Sequence, residues 1–239
     1  KTGRYNLCPD VEFFATPPID GVFCEYVAHS ASLCFRLPEN MDTIEGALIE
    51  PLAVGFHAAN QGGARLGQKA VVMGAGCIGL MTLLALKAFG VTEVYVVAKA
   101  KELGAAGIIN GKEQDAVEEL MRATSGKGMD LCIDTAGSQI TMNQCIGAAA
   151  KGAAVVFVGY SAQDQVSLDI NNALNKELTF KTVFRYRNLY PLAIEAVSQG
   201  LNVKGVVTDF FKFDDVRKAM DLSVSNKAEI VKCLYRRSQ

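Results

Sequence analysis

Long apolar runs are missing from this 239-residue sequence. Gly, Lys or Glu interrupts each one well short of the ~20 residues that a membrane-spanning helix needs, so no span is expected. A dominant sign of charge is missing too. The 24 Lys and Arg and 25 Asp and Glu sum to −1 and are mixed along the chain, which leaves no electrostatic footprint for nucleic acid. No secretory signal is legible at the start. Cysteines at 8, 24, 34, 77, 132, 145 and 233 never fall into CxxC spacing, which reads as reduced thiols of a cytoplasmic protein, several of them core residues. Histidine occurs only at 29 and 57, each in an unremarkable stretch, where a structural role is the default. No paired nucleophile and base is visible, which argues against hydrolase chemistry. The chain also lacks an initiator Met and opens Lys1-Thr2-Gly3-Arg4-Tyr5-Asn6 in what reads as a loop, so the natural start is expected to be missing.

What remains is ordinary globular composition, 50% hydrophobic and 21% charged, in a 25.6 kDa chain able to bury a full core. Residues 1–50 are turn-rich. Thr16-Pro17-Pro18 and Asp20-Gly21 are turn signals, and the β-favouring stretches 23–27 and 32–37 read as strands of a small barrel. A helix is expected at 54–60. From Lys69 the pattern becomes regular, with strand-like runs at 70–73, 94–97, 107–109, 131–134, 154–158 and 178–184. Helical patterns at 78–89, 113–123 and 140–150 lie between them. Apolar strands alternating with helices imply parallel pairing, and Val155-Val156-Phe157-Val158 suits a strand covered on both faces. Six such strands match a doubly wound α/β nucleotide-binding sheet. The tail offers a helix at 190–199 before Gly200, strands around 203–213, a helix from Asp214 to about 225, and a last strand at 230–234. It is expected to rejoin the barrel, making that domain discontinuous.

Val71-Val72-Met73 feed the turn Gly74-Ala75-Gly76-Cys77-Ile78-Gly79, followed by the helical stretch from Leu80. Of the three glycines, the first permits the tight turn and the second lets backbone approach a pyrophosphate. The third allows helix to pack closely on strand, with phosphates held at the helix N-terminus. The fingerprint also calls for an acid about 20 residues on, at the end of the second strand. Here the expectation fails, because Val96-Val97 is followed by Ala98-Lys99-Ala100-Lys101-Glu102 with no Asp. Either a loop carrying the acid and the start of a crossover helix is missing, or the site is altered to take NADP or no cofactor. The short crossover favours the first, since parallel connections normally take a dozen residues or more.

Several stretches resemble medium-chain zinc-dependent alcohol and polyol dehydrogenases, nearest the sorbitol (L-iditol) and xylitol dehydrogenase branch. They are Gly3–Cys8 (GRYNLC), Phe14–Gly21 (FATPPIDG), Gly46–Gly55 (GALIEPLAVG) and Val183-Phe184-Arg185-Tyr186. The resemblance covers the chain from end to end but only about the last two-thirds of a family member. It implies a doubly wound parallel Rossmann sheet at 54–185 and a partial GroES-like β-barrel catalytic domain from 1–53 and 186–239.

The same resemblance implies NAD and zinc as cofactors, a polyol substrate, and a homodimer or homotetramer. Glu50 matches the glutamate that reaches the catalytic zinc directly or through its water, and Cys8 matches the fourth ligand of the structural zinc. The other catalytic ligands have no counterpart here, and one carboxylate cannot hold a zinc that needs about three protein ligands. Arg185 and Tyr186 match groups that bond polyol hydroxyls, and Phe13 the aromatic wall of the pocket. Gly74, Gly76, Ile78 and Gly79 match positions along the cofactor. Val158-Gly159-Tyr160, Val183 and Phe184 match positions near the nicotinamide. A butanediol or threonine dehydrogenase is the alternative within the class, and a catalytically silent nucleotide-binding protein the alternative outside it. Asp134, at the end of the fourth strand, is left without a role.

Overall fold

The computed structural model describes residues 3–97, 103–226 and 230–236. Its first regular element, helix α1 (Thr43–Gly62), starts at a capping box in which Asp42 accepts from the Glu45 N–H and Glu45 from the Asp42 N–H, both at 2.9 Å. It ends at Gly63, which takes the left-handed conformation with φ 67°. The helix therefore begins eleven residues before the expected position 54, and Glu50 stands on it rather than in a junction loop. Pro51 lies inside the helix and is buried. It removes one N–H from the ladder and makes the stretch read as a break, which the capping box and the apolar face of α1 override.

Six strands follow: β1 (Lys69–Met73), β2 (Glu93–Val97), β3 (Gly107–Ile109), β4 (Met129–Asp134), β5 (Ala149–Phe157) and β6 (Thr179–Thr182). They form one sheet in the order β3-β2-β1-β4-β5-β6, and every pairing is parallel. Helices α2 (Cys77–Ala88), α3 (Ala116–Ala123), α4 (Gln139–Ala148) and α5 (Ile170–Asn175) lie in the crossovers, and α5 had no clear pattern in the sequence. Alternation along β1 divides the core in two. Ala70 and Val72 join Leu48, Leu52, Leu80 and Leu83 of α1 and α2, while Val71 and Met73 face Ala116, Leu120 and Cys145 of α3 and α4. Helix α6 (Tyr190–Ser198) adds Ala193, Ile194 and Val197 to the first cluster.

The register places Met73 opposite both Val97 and Asp134, and Asp134 opposite Phe157. The strand order reverses between β1 and β4, so the crevice beyond their C-terminal ends is the switch point of the sheet, where ligands bind in open α/β folds.

The expected barrel strands at 23–27 and 32–37 are absent. That stretch carries a single 3₁₀ turn, Ala31–Leu33, and is mostly exposed. Residues with β propensity become strands only against a partner, and none of the described residues pairs with these. Two short parallel strands, β7 (Asp209–Lys212) and β8 (Cys233–Arg236), flank α7 (Val216–Ser225) and pair with each other. The expected strands at 203–213 and 230–234 are thus shortened to 209–212 and shifted to 233–236. The place for a ribose-binding acid, 98–102, lies outside the described residues, and 103–106 carry no helix. Among the described residues no helix is long and apolar enough to cross a membrane.

Candidate functional site

Met73 leads straight into the glycine turn. Gly74 takes φ 104° and donates to the Val97 carbonyl at 2.9 Å. Gly76 is the N-cap of α2, and the first turn of that helix carries no acid, leaving its positive end open to an anion. Gly79 faces back onto the turn so closely that a Cβ there would run into the Gly74 carbonyl oxygen.

Two neighbouring loops are laced to this turn. Thr135 donates from its N–H and its hydroxyl to the Met73 carbonyl, each at 2.9 Å. The Asp134 carboxylate is fully buried and accepts from the N–H of Gly137 (2.9 Å), and its main-chain carbonyl accepts from Val158 (2.8 Å) and Gly159 (3.1 Å). Burial raises its pKa, opposed by Thr141 and the two backbone donors Gly137 and Ala136. Gly137 and Gly159 meet backbone to backbone, and a Cβ on either would overlap the other loop. Asp134, unassigned from sequence, is therefore the knot joining the β4 and β5 loops. Val158 and Ile78 are half-buried beside them, whereas the Tyr160 side chain is 80% exposed.

On the other side of the turn stands Glu50. The residue is exposed, yet the protein around its carboxylate removes enough hydration to raise its pKa. Lys232 and Arg185 oppose that shift by their charge, and Tyr186 by a hydrogen bond to the carboxylate. The Tyr186 hydroxyl lies 3.0 Å from the Tyr190 hydroxyl, and the rings stack with centroids 5.3 Å apart. Loss of solvent, the Tyr190 bond and the Glu50 charge together push the Tyr186 phenol far above its usual range. Arg185 lies over the Phe13 ring, 3.7 Å from its centroid, and donates to the Thr16 hydroxyl at 2.8 Å. Phe184 meets the Phe13 ring edge to face at 6.0 Å. Val183 is tied back to the sheet through its N–H and the Phe157 carbonyl at 3.0 Å.

Glu50, Arg185, Tyr186, Phe13 and Phe184 thus lie near one another. Cys8 does not join them. It is exposed, and among the described residues no group of three or more His, Cys, Asp or Glu is placed to hold a metal ion. His29 packs on the Phe14 ring, and His57 is buried in α1 with its pKa lowered by lost hydration and by the Arg187 charge. Neither reaches the site as an acid or base.

Four site residues were not legible beforehand. Thr16 lay inside a quoted motif without a role. Cys77, first residue of α2, was counted only as a thiol, yet it feels both Glu50 and Lys232. Tyr190 was read only as the start of a helix, four residues past Tyr186, and Lys232 had no signal because only the fold brings it to Glu50.

Comparison with known proteins identifies the family and the fold. The family model for zinc-binding dehydrogenases matches residues 77–199. An uncharacterized zinc-type alcohol dehydrogenase-like protein of Escherichia coli is 43% identical, covering 96% of this chain and 68% of the relative. The sorbitol dehydrogenase of Bacillus subtilis is 36% identical, with 98% of this chain and 69% of the relative covered. This chain therefore spans about two thirds of the length of such relatives. Among solved structures, an Escherichia coli oxidoreductase/dehydrogenase of unknown specificity superimposes with TM-score 0.94 at 41% identity, covering 99% of this chain and 70% of that one. The 2R,3R-butanediol dehydrogenase of Bacillus subtilis gives 0.90 at 31% identity, covering 99% and 70%. An Escherichia coli alcohol dehydrogenase complexed with NADH gives 0.89 at 26% identity, covering 96% and 70%.

Proposed function

The chain belongs to the zinc-binding dehydrogenase family, and from that premise we propose that its site transfers a hydride between NAD(H) and a polyol/ketose pair such as sorbitol and fructose. The observation that carries the proposal is the convergence of Glu50, Arg185 and Tyr186 beside the glycine turn. A guanidinium offers five N–H donors and a phenol one. Arg185 uses one of its donors on Thr16, and the Phe13 ring holds its plane from below. The remaining Arg185 donors, and the Tyr186 oxygen as an acceptor, stand next to an acid and suit a substrate with several hydroxyls better than a simple apolar alcohol.

The nucleotide fits the residues present. Gly74 and Gly79 keep the turn tight, Gly76 has no atom within 4 Å of where a Cβ would stand, and the N-terminus of α2 faces the opening. Lys232, whose charge is felt at Cys77 and Glu50, adds a cation suited to a pyrophosphate. When bound, the nicotinamide supplies the hydride chemistry. This chain's own groups position and charge the substrate. Arg185 and Tyr186 would orient hydroxyls, and Glu50, more ready than an ordinary carboxylate to hold a proton, is the group suited to take up the reacting hydroxyl's proton.

Zinc is less well provided for. Glu50 and the Cys77 thiol are the candidate ligands beside the site, and the described residues offer no cluster of three that could hold the ion. That observation favours a second reading, a protein that binds the nucleotide without turning substrate over.

One preparation decides between them. NADH binding is followed by fluorescence, and NAD or NADP reduction at 340 nm with sorbitol, xylitol, butanediol and threonine, with and without added zinc. Turnover best with a polyol supports the proposal. NADH binding without turnover of any substrate, zinc included, overturns the enzyme and leaves the nucleotide-binding protein. Turnover confined to butanediol or threonine moves the substrate class.

A further inference from the structure

The loop between β6 and α6 carries both Arg185 and Tyr186, and it is bent in an unusual way. Arg185 has φ 53° and Asn188 φ 55°, left-handed conformations at residues with full side chains. Such a backbone persists only where surrounding contacts over-determine it. The contacts come from the far end of the chain. The 3₁₀ turn Tyr5–Leu7 lies against the loop. Asn6 donates from Nδ2 to the Phe184 carbonyl at 2.8 Å, and the Tyr5 hydroxyl accepts from the Asn188 N–H at 2.7 Å. The two bonds bracket residues 185–187 and span 178 and 183 positions of sequence.

Asn6 is also the one residue among those described with a buried side-chain polar atom lacking a partner, its Oδ1, although the residue is only 2% exposed. Leaving a buried acceptor unpaired is unfavourable, and an apolar side chain would avoid it. What Asn6 contributes in return is a single donor aimed at the carbonyl just before Arg185.

We infer that Tyr5 and Asn6 are positioning residues that clamp the 184–188 loop, holding Arg185 over Phe13 and Tyr186 against Glu50, and thereby set recognition of the polyol. The inference rests on the reading of Arg185 and Tyr186 as substrate-orienting groups. The clamp itself, however, is testable without substrate. Arg185 and Arg187 are trypsin sites within the loop, so the rate of cleavage there reports directly whether the loop is held.

Two variants are compared with the wild type. Asn6→Leu keeps the branching at Cγ, is somewhat bulkier, and removes both the donor and the unpaired acceptor, so the thermal midpoint is expected to change little. Tyr5→Phe removes only the acceptor for Asn188. Each is expected to speed cleavage after Arg185 and Arg187 and to raise the polyol KM by about three- to tenfold, the worth of one hydrogen bond. The affinity for NADH and kcat at saturating polyol are expected to stay near wild type. A merely structural role would lower the thermal midpoint and weaken NADH and polyol together. Unchanged cleavage in both variants overturns the clamp. Faster cleavage with an unchanged polyol KM overturns its link to recognition. A wild-type chain that turns over no polyol overturns the reading of the site instead, and the cleavage rates still decide the clamp.

Discussion

Gly79→Ala tests whether the glycine turn is a fitted anion cradle. A Cβ at residue 79 would collide with the Gly74 carbonyl oxygen and stand 2.9 Å from the Thr135 hydroxyl. Neither can step aside easily, since Gly74 is bonded to Val97 and Thr135 to Met73. Helix α2 would have to retreat by roughly 1 Å to restore ordinary contact. It is also held from behind, where Gly55 of α1 comes so close that a Cβ there would lie 2.6 Å from the Met81 carbonyl oxygen. Overpacking of this kind costs about 1–3 kcal/mol of stability. The same retreat moves the first N–H groups of α2 away from the pyrophosphate. Hydrogen bonds to a charged group are worth about 1.5–3 kcal/mol each, so losing one weakens NADH by about ten- to a hundredfold. Gly76→Ala separates the two effects. Its Cβ would meet nothing within 4 Å and its φ of −71° suits any residue, so the folded chain loses at most about 1 kcal/mol, the N-cap preference for Gly over Ala. NADH affinity should fall all the same, because the new methyl stands where the phosphates approach. Thermal melts and NADH fluorescence titrations read both variants. Gly79→Ala with an unchanged midpoint and affinity would refute the reasoning, as would Gly76→Ala binding NADH like the wild type.

Three other changes follow from the electrostatics. The raised pKa of Glu50 means that the folded chain holds this proton more tightly than the unfolded one, so the wild type loses stability as pH rises above the ordinary carboxylate range. Glu50→Gln should therefore abolish turnover yet melt higher than the wild type at neutral pH, with the gap closing in acid; a variant that melts no higher at pH 7 refutes this. Lys232→Met removes the charge that most opposes the shift, so the acid limb of the activity profile should move to higher pH, and NADH should bind more weakly. An unmoved limb would show that Glu50 does not govern it. Asp134→Asn replaces a buried acceptor of backbone N–H groups with an amide that must turn one donor inward, and urea unfolding should show a loss of about 1–3 kcal/mol.

The sheet was legible because its strands are buried on both faces and read as unbroken apolar runs. Residues 107–109 match β3 outright, and 70–73 miss β1 only by Lys69. The failures have physical causes. Pro51 hid the N-terminal half of α1, although Asp42 and Glu45 had the spacing of a capping box. Stretches 23–27 and 32–37 have the composition of strands, but pairing is a property of two segments and composition of one. At the candidate site, Glu50, Arg185 and Tyr186 were singled out through motifs. Lys232 was not, because Glu50 lies 182 residues away and only the fold brings the two close, while Tyr190 and Asn6 lay in a helix start and a quoted motif without a role.

The two ends of the sheet are built to different standards, and the contrast bears on where function lies. At the N-terminal end, polar groups are satisfied. Lys69 pairs with Glu93 at 2.7 Å, its N–H bonds Asp130, and Tyr95 donates to Glu93 at 2.8 Å. The other end collects the unfavourable features. Three of the five non-glycine residues with positive φ among those described, Ala15, Arg185 and Asn188, lie in the loops around Phe13 and Tyr186. The orphaned Asn6 oxygen belongs to the turn bonded to the Phe184 carbonyl, and the protein around Glu50 raises its pKa although the residue is exposed. A chain shaped for stability alone would relax each of these, since none supports the sheet. Local strain concentrated at one rim, against a core that is otherwise well satisfied, is what a site preorganised for a ligand requires. Relieving it should yield a firmer protein that recognises its substrate less well.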